Sequence, residues 1–261
     1  MEFEMTKRLQ DKVALITGGS RGIGRAASLQ FAREGAKLIA IHYGSNQEAA
    51  EKTAKEVEAL GAKAILIQAN LNEGKKAADS IWAQFKLLAT EAVGSDKLDI
   101  LVNNAGIAPV GSISDTSEAV FDEVMSVNFK APFFIIQGAY AHLNDNGHVV
   151  NVSTGFTRIA GPNNAIYAAS KGAIDTLSLA LAPDLASRGI NINAVMPGVT
   201  ETDMNKDWLS DPASRDFAAN WSVYKKLGKP EYAAELITYL SSDASRWTTG
   251  QIIDVTGGTQ I

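Results

Sequence analysis

From end to end the chain alternates between short apolar runs and longer segments of helical periodicity. The early runs, Lys12–Thr17 (KVALIT), Lys37–Tyr43 (KLIAIHY) and Ala62–Ala69 (AKAILIQA), are apolar at nearly every position rather than at every second one. A strand of that kind has both faces covered, the condition of a parallel sheet enclosed between helices. The segments between them, Gly22–Arg33, Gln47–Leu60 and Lys75–Ala92, are long enough for crossover helices that return the chain to the same end of the sheet. Further strands are expected over Leu98–Val102, His148–Ser153, Ile190–Val195 and Gln251–Val255, and helices over Ser117–Leu143, Ala165–Ser187 and Glu231–Ser241. The pattern predicts one α/β domain, a Rossmann-type doubly wound parallel sheet of about seven strands.

That domain is expected over residues 9–261, after an N-terminal arm of residues 1–8. Between the sixth strand and the last helix lies Thr200–Lys229, a long polar stretch that carries Trp208, Trp221 and Pro212. A connection of that length in a compact domain is usually functional, and it reads as a substrate lid with short helices. Cysteine is absent, which excludes disulfides, thiolate nucleophiles and cysteine-bound metals. The three histidines, His42, His142 and His148, are scattered, so no metal site is expected. Net charge is −5 with no block of Lys and Arg, which argues against nucleic-acid and anionic-membrane partners. The opening MEFEMTKRLQ has no apolar core of a secretory signal, and no run approaches the roughly 18 apolar residues of a membrane span. A cytoplasmic location is expected.

The first run ends in Thr17-Gly18-Gly19-Ser20-Arg21-Gly22-Ile23-Gly24 and passes directly into a helix. Glycines in such a turn let the backbone approach a pyrophosphate and let helix pack on strand. The helix N-terminus adds free N–H groups and a partial positive charge. The spacing is G-x-x-x-G-x-G, not the commoner G-x-G-x-x-G, and in isolation it could be only a tight turn. Cofactor choice is read at the end of the second strand, where an acid accepts the ribose 2′-OH of NAD and neutral or basic groups admit the 2′-phosphate of NADP. Here Ile41-His42-Tyr43-Gly44-Ser45-Asn46 offers no carboxylate before Glu48, and Arg21 can point to the same place. The expected cofactor is NADP(H) in preference to NAD(H), with His42, Tyr43 and Ser45 beside its 2′-phosphate.

Tyr167-Ala-Ala-Ser170-Lys171 places a phenol and an ammonium one helical turn apart on one face. A tyrosine of pKa about 10 trades protons poorly near neutrality, and an adjacent ammonium favours its phenolate. Such a pair is frequent by chance. With the glycine loop, Asn103-Asn104-Ala105-Gly106 after the fourth strand, Asn128 in the next helix and Pro197-Gly198 after the sixth strand, however, the chain resembles the short-chain dehydrogenase/reductase family over about residues 9–258.

The resemblance implies a carbonyl reductase or alcohol dehydrogenase, 3-oxoacyl reduction being the commonest assignment, in which hydride passes between NADP(H) and a ketone or secondary alcohol. It implies Tyr167 as general acid/base, Lys171 as the group that lowers its pKa and bonds the nicotinamide ribose, and Asn128 as holder of a water in a proton relay. Gly18, Ser20, Arg21, Gly22, Ile23, Gly24, Asn104, Ala105 and Gly106 would line the adenosine ribose and pyrophosphate. Asn70 and Leu71 stand where the family usually has Asp-Val against the adenine. Pro197, Gly198, Thr200 and Thr202 match the stretch that seats the carboxamide. The substrate-polarising serine has two candidates: counting back from Tyr167 gives Thr154, and a loop one residue longer gives Ser153. Pro109, Phe156, Trp208 and Trp221 could wall an apolar substrate site, or the tryptophans could merely anchor the lid. Pro183 removes the hydrogen bond to Leu179's carbonyl and is expected to kink the Tyr167 helix, which sets the usual tetramer against a dimer. The alternatives to turnover are a dinucleotide-binding regulator or scaffold, and lyase or epimerase chemistry on the same frame.

Overall fold

A computed structural model describes residues 7–260; most of the expected arm over residues 1–8 lies outside them. Of that arm, Arg8 forms an ion pair with Glu34, and the next residue, Leu9, is already core. Seven strands follow in the chain: β1 (Val13–Ile16), β2 (Leu38–Tyr43), β3 (Lys63–Gln68), β4 (Leu98–Asn103), β5 (Leu143–Val152), β6 (Asn191–Pro197) and β7 (Ile252–Val255). All pair in parallel, in the order β3-β2-β1-β4-β5-β6-β7. The chain winds outward from β1 to β3, then returns to lay β4 on the other side of β1. The strand order therefore reverses at β1 and β4, and the crevice outside their C-terminal ends is where such a sheet takes a ligand.

The continuous apolar runs work as expected. Leu15, Leu38, Leu101, Val149 and Ile192 pack toward one face, with Ile81, Phe85 and Ile135 from α3 (Lys75–Val93) and α5 (Ala131–Ala139). Ile16, Ile39, Ile41, Val102 and Val150 pack toward the other, with Ala27, Phe31, Ala234 and Ile237 from α1 (Gly22–Arg33) and α8 (Pro230–Leu240). Each such aliphatic side chain contributes about 1.5–3 kcal/mol on burial, so the sheet anchors the loops at its rim firmly. Helix α2 (Gln47–Ala59) starts where the Asn46 side chain accepts a bond from the Ala49 N–H.

Two expectations need correction. The helix expected over Ser117–Leu143 is three pieces: α4 (Glu118–Met125), a π turn over Ser126–Lys130, and α5, which stops at Ala139. The π turn holds Asn128, and Pro132 opens α5. β5 starts at Leu143, not His148, because the register shifts between Leu98 and Ile100 and Asn146 takes a left-handed φ of 61°. Pro183 lies inside α6 (Ala165–Ala186), which continues past it; Leu179, whose carbonyl loses its partner, lies on the exposed side. The 200–229 excursion contains two 3₁₀ turns and α7 (Pro212–Ala219), and it is closed at its base by a parallel bridge between Thr200 and Gly228. Among the described residues no helix is long and apolar enough to cross a membrane.

Candidate active site

A cavity of about 970 Å³ opens at the C-terminal ends of β1, β4, β5 and β6. Its floor is the glycine loop. Gly18 and Gly22 adopt φ of 61° and 52°, a region that side chains strain. A Cβ on Gly24 would sit 2.1 Å from the Gly18 carbonyl oxygen and 2.5 Å from Asn104 Nδ2, so only glycine lets α1 approach this turn. Asn104 ties the loop from β4: its Nδ2 donates to the carbonyls of Thr17 (2.9 Å) and Gly18 (3.1 Å). The Thr17 hydroxyl in turn accepts the N–H groups of Asn104 (3.0 Å) and Ala105 (3.1 Å). The N-terminus of α1 has no side-chain cap and no acid in its first turn. Bare N–H groups at a glycine cradle are the surroundings that a pyrophosphate requires, and this part of the chain fits a dinucleotide.

His42 borders the cavity, but both of its ring nitrogens are engaged by the protein. It is buried; its Nδ1 accepts the Gly18 N–H at 3.2 Å, and its Nε2 lies 3.1 Å from the Ala69 carbonyl, to which it donates. Burial pushes its pKa down to about 4, so the ring is neutral and presents no cation. Its side chain links the glycine loop to the end of β3. Ser45 is exposed and off the cavity wall, which passes instead through Tyr43 and Gly44. Arg21 does line the cavity, and its guanidinium meets the Asp203 carboxylate of the lid at 3.3 Å. Across the mouth, Leu71 and Asn70 line the wall; the Asn70 amide oxygen accepts the Asn72 N–H at 3.1 Å, which leaves one lone pair for a ligand.

Thr154, Tyr167 and Lys171 converge at the inner end. Tyr167 is brought there by the first turn of α6, and Lys171 one turn later. The Thr154 hydroxyl is within hydrogen-bonding reach of the Tyr167 phenol; burial raises the phenol's pKa, and this contact opposes the rise. Lys171 is 4% exposed and donates to the Val152 carbonyl at 2.6 Å. Burial lowers its pKa to about 8, and attraction to Asp175 pulls the other way. Asn128 stands behind the wall. It bonds both backbone groups of Ile107 at 2.9 Å, and its Nδ2 donates to Ser170 Oγ at 3.0 Å. Ser170 then donates to the Tyr167 carbonyl at 2.7 Å. The π turn is what aims Asn128 inward, and this chain of bonds braces the start of α6.

Ser153 also reaches the cavity wall, but its hydroxyl is enclosed without a partner. Ile23, Ala105, Gly106, Pro197, Gly198, Thr200 and Thr202 lie where expected on the lining, while Gly24 supports it from beneath. The 200–229 excursion contributes Trp208, Phe217 and Trp221; Trp221 packs edge-on against Phe156 at 6.1 Å and Phe217 at 5.5 Å between ring centroids. Pro109 is not on the wall, although Ala108 and Val110 are. The sequence reading missed Asp203, Phe217, Asn163 and Asn164, whose place on the wall comes from how the lid and the turn before α6 fold back.

A family model described as short chain dehydrogenase matches residues 12–213. Versicolorin reductase stcU of Emericella nidulans is 37% identical over 96% of this chain and 96% of its own length. A probable tetrahydroxynaphthalene reductase of Zymoseptoria tritici is 33% identical over 97% and 96%. The solved structure of the angucycline C-6 ketoreductase LanV with bound NADP superposes with a TM-score of 0.92 at 37% identity, over 97% of this chain and 96% of that one. The sequence match, the sheet order and the Tyr167–Lys171 cavity agree: the chain belongs to the short-chain dehydrogenase family and is an oxidoreductase.

Proposed function

We propose that the protein is an NADP(H)-dependent ketoreductase whose substrate is a flat, fused-ring phenolic ketone. The observation that carries the reading is that Thr154, Tyr167 and Lys171 line the same cavity as the glycine cradle. The reduced nicotinamide supplies hydride when bound. The protein does the rest: the Tyr167 phenol gives its proton to the carbonyl oxygen as negative charge develops, and the Thr154 hydroxyl donates a second hydrogen bond to the same atom. Burial suits the phenol to act as an acid, because it keeps the proton on until the oxygen demands it. The Lys171 ammonium then favours the phenolate left behind. Of the two candidate hydroxyls, Thr154 is the polarising group, since it is the one that reaches Tyr167.

The substrate class is supported by the aromatic lining of Phe156, Phe217, Trp208 and Trp221, a slot suited to ring faces and edges. Relatives named for tetrahydroxynaphthalene and for angucycline ketoreduction point the same way. Preference for NADP over NAD is supported by a β2 end without a carboxylate and by Arg21, with Tyr43 and Gly44, at the place for a 2′-phosphate. The protein works as a homo-oligomer, tetramer or dimer, a reading supported by the exposed apolar side chains Phe121, Phe133, Leu179 and Trp247, and the absence of cysteine suits a reducing cytoplasm.

The test is NADPH and NADH oxidation against a panel of naphthalenone, anthrone-type, simple aliphatic and 3-oxoacyl thioester ketones. Fastest turnover of fused-ring ketones with NADPH is expected. Tyr43→Asp, which puts a carboxylate on the cavity wall, should weaken NADPH at least tenfold and spare NADH. A preference for thioesters would overturn the substrate class, and equal use of both cofactors would overturn the cofactor choice.

A further inference from the structure

Tyr167, Lys171 and Asp175 are spaced i, i+4 and i+8 on α6, so they form one stripe along a single helix face. Only the first two have a part in the proton transfer. The Lys171 ammonium carries three donors and is almost wholly buried, yet its one hydrogen bond to the protein among the described residues is to the Val152 carbonyl. A buried ammonium without a counter-charge gives up its proton, and burial does pull this one down, to about 8. Of the groups around it, Tyr167 and Asp175 come from its own helix, Ser153 and Thr154 from the end of β5, and Asn128 from the π turn. Glu123 of α4 also reaches the cavity but is exposed, where solvent screens it. Asp175 is the carboxylate that acts on Lys171.

Asp175 is itself set in place. Its Oδ1 is enclosed and has no hydrogen-bond donor in bonding geometry, and the enclosed Ser153 hydroxyl is likewise unpartnered. The hydroxyls of Ser153 and Thr157 are nevertheless the neighbours that draw the carboxyl toward its charged form, against a burial that raises its pKa. Ser153 thus borders Asp175 as well as the cavity wall, whereas Thr154 borders the Tyr167 phenol. The carboxylate does not close an ion pair with Lys171 within 4.0 Å, so its effect is through space across the helix turn.

We propose that Asp175 is a positioning residue of the reaction: one helical turn beyond Lys171 on the same face of α6, its carboxylate is the counter-charge that keeps the buried Lys171 an ammonium at neutral pH. The inference rests on the reading of Tyr167 and Lys171 given above. Losing the negative charge at 175 makes Lys171 release its proton sooner. The first proton lost by the coupled Tyr167–Lys171 pair sets the alkaline limb of ketone reduction, and that limb moves to lower pH.

The direct test titrates the side-chain resonances of ¹³Cε-labelled lysine by NMR in the full-length protein, with the Lys171 signal assigned by its loss in Lys171→Met. In Asp175→Asn the Lys171 midpoint should fall by roughly one pH unit, the lower end of what a nearby opposite charge confers. Asp175→Glu should restore it. The alkaline limb of NADPH-dependent ketone reduction should move with it. Should Asp175→Asn fail to fold, Asp175→Ser removes the same charge with a smaller side chain and should displace the midpoint in the same direction. An unmoved midpoint with only a uniform loss of rate or of Tm would mean that Asp175 is structural, and would overturn the inference. Full turnover in Tyr167→Phe would instead sink the catalytic reading, and it leaves the NMR titration to be judged on its own.

Discussion

Two buried histidines should make this protein lose stability in mild acid, and one of them should take the glycine loop with it. Burial pushes His42 and His148 from an ordinary 6.5 to about 4 in the folded protein. The folded pKa lies below the unfolded one, so between those values the unfolded chain binds the extra proton. Stability is therefore full above pH 6.5 and falls as pH drops through the window, levelling off only below about 4. Evaluated at pH 5, each histidine contributes a loss of about 2 kcal/mol, or about 4 kcal/mol for the pair. Against the usual 5–15 kcal/mol of a whole domain, that is a large share. His42 adds a local effect: once protonated, its Nδ1 can no longer accept the Gly18 N–H. Urea unfolding followed at half-unit steps from pH 7.5 to 5 should show the decline, and His148→Asn should remove about half of its slope. Most carboxylates stay ionised over that range, so a flat profile would show that the histidines are not held neutral as their burial implies.

Gly24→Ala should unfold the cradle, because its methyl group would lie 2.1 Å from the Gly18 carbonyl oxygen. Backbone must move by about an ångström, with a cost of 1–3 kcal/mol or more; calorimetry should show a lower Tm, and NADPH affinity should fall at least tenfold. Thr154→Val should cut kcat by roughly a hundredfold, as loss of an oxyanion donor does. Ser153→Ala should leave kcat within about tenfold, and comparable losses in both would show that the hydroxyls share the substrate.

What was legible in the sequence was what short-range spacing decides. Runs such as KVALIT announced covered strands, and the glycines between Thr17 and Gly24 announced the turn that α1 enters. The Tyr167–Lys171 pair was visible because both residues sit on one helix, where four positions make one turn. The parts that escaped depend on partners remote in sequence. His42 reads as a strand-end residue free to meet a phosphate, until β3 brings the Ala69 carbonyl to one ring nitrogen and the glycine loop brings Gly18 to the other. The segment from Ser117 to Leu143 keeps an apolar, helix-forming composition throughout, and nothing local marks the π turn that aims Asn128 at Ile107. The early start of β5 likewise follows from pairing with β4, through a register shift that no run of residues displays. Ser153 and Thr154 are adjacent and chemically alike, and only the folded chain shows Thr154 beside the Tyr167 phenol and Ser153 beside Asp175.

The central claim is that Tyr167 passes a proton to a ketone reduced with NADPH. The measurement that tests it most directly is NADPH oxidation with a fused-ring ketone by the wild type and by Tyr167→Phe, with NADPH affinity measured in both. Turnover that falls at least a hundredfold in Tyr167→Phe while NADPH binds within about threefold of wild type is the predicted result, in line with the reach of general acid catalysis. Turnover that survives the loss of the phenol would contradict it.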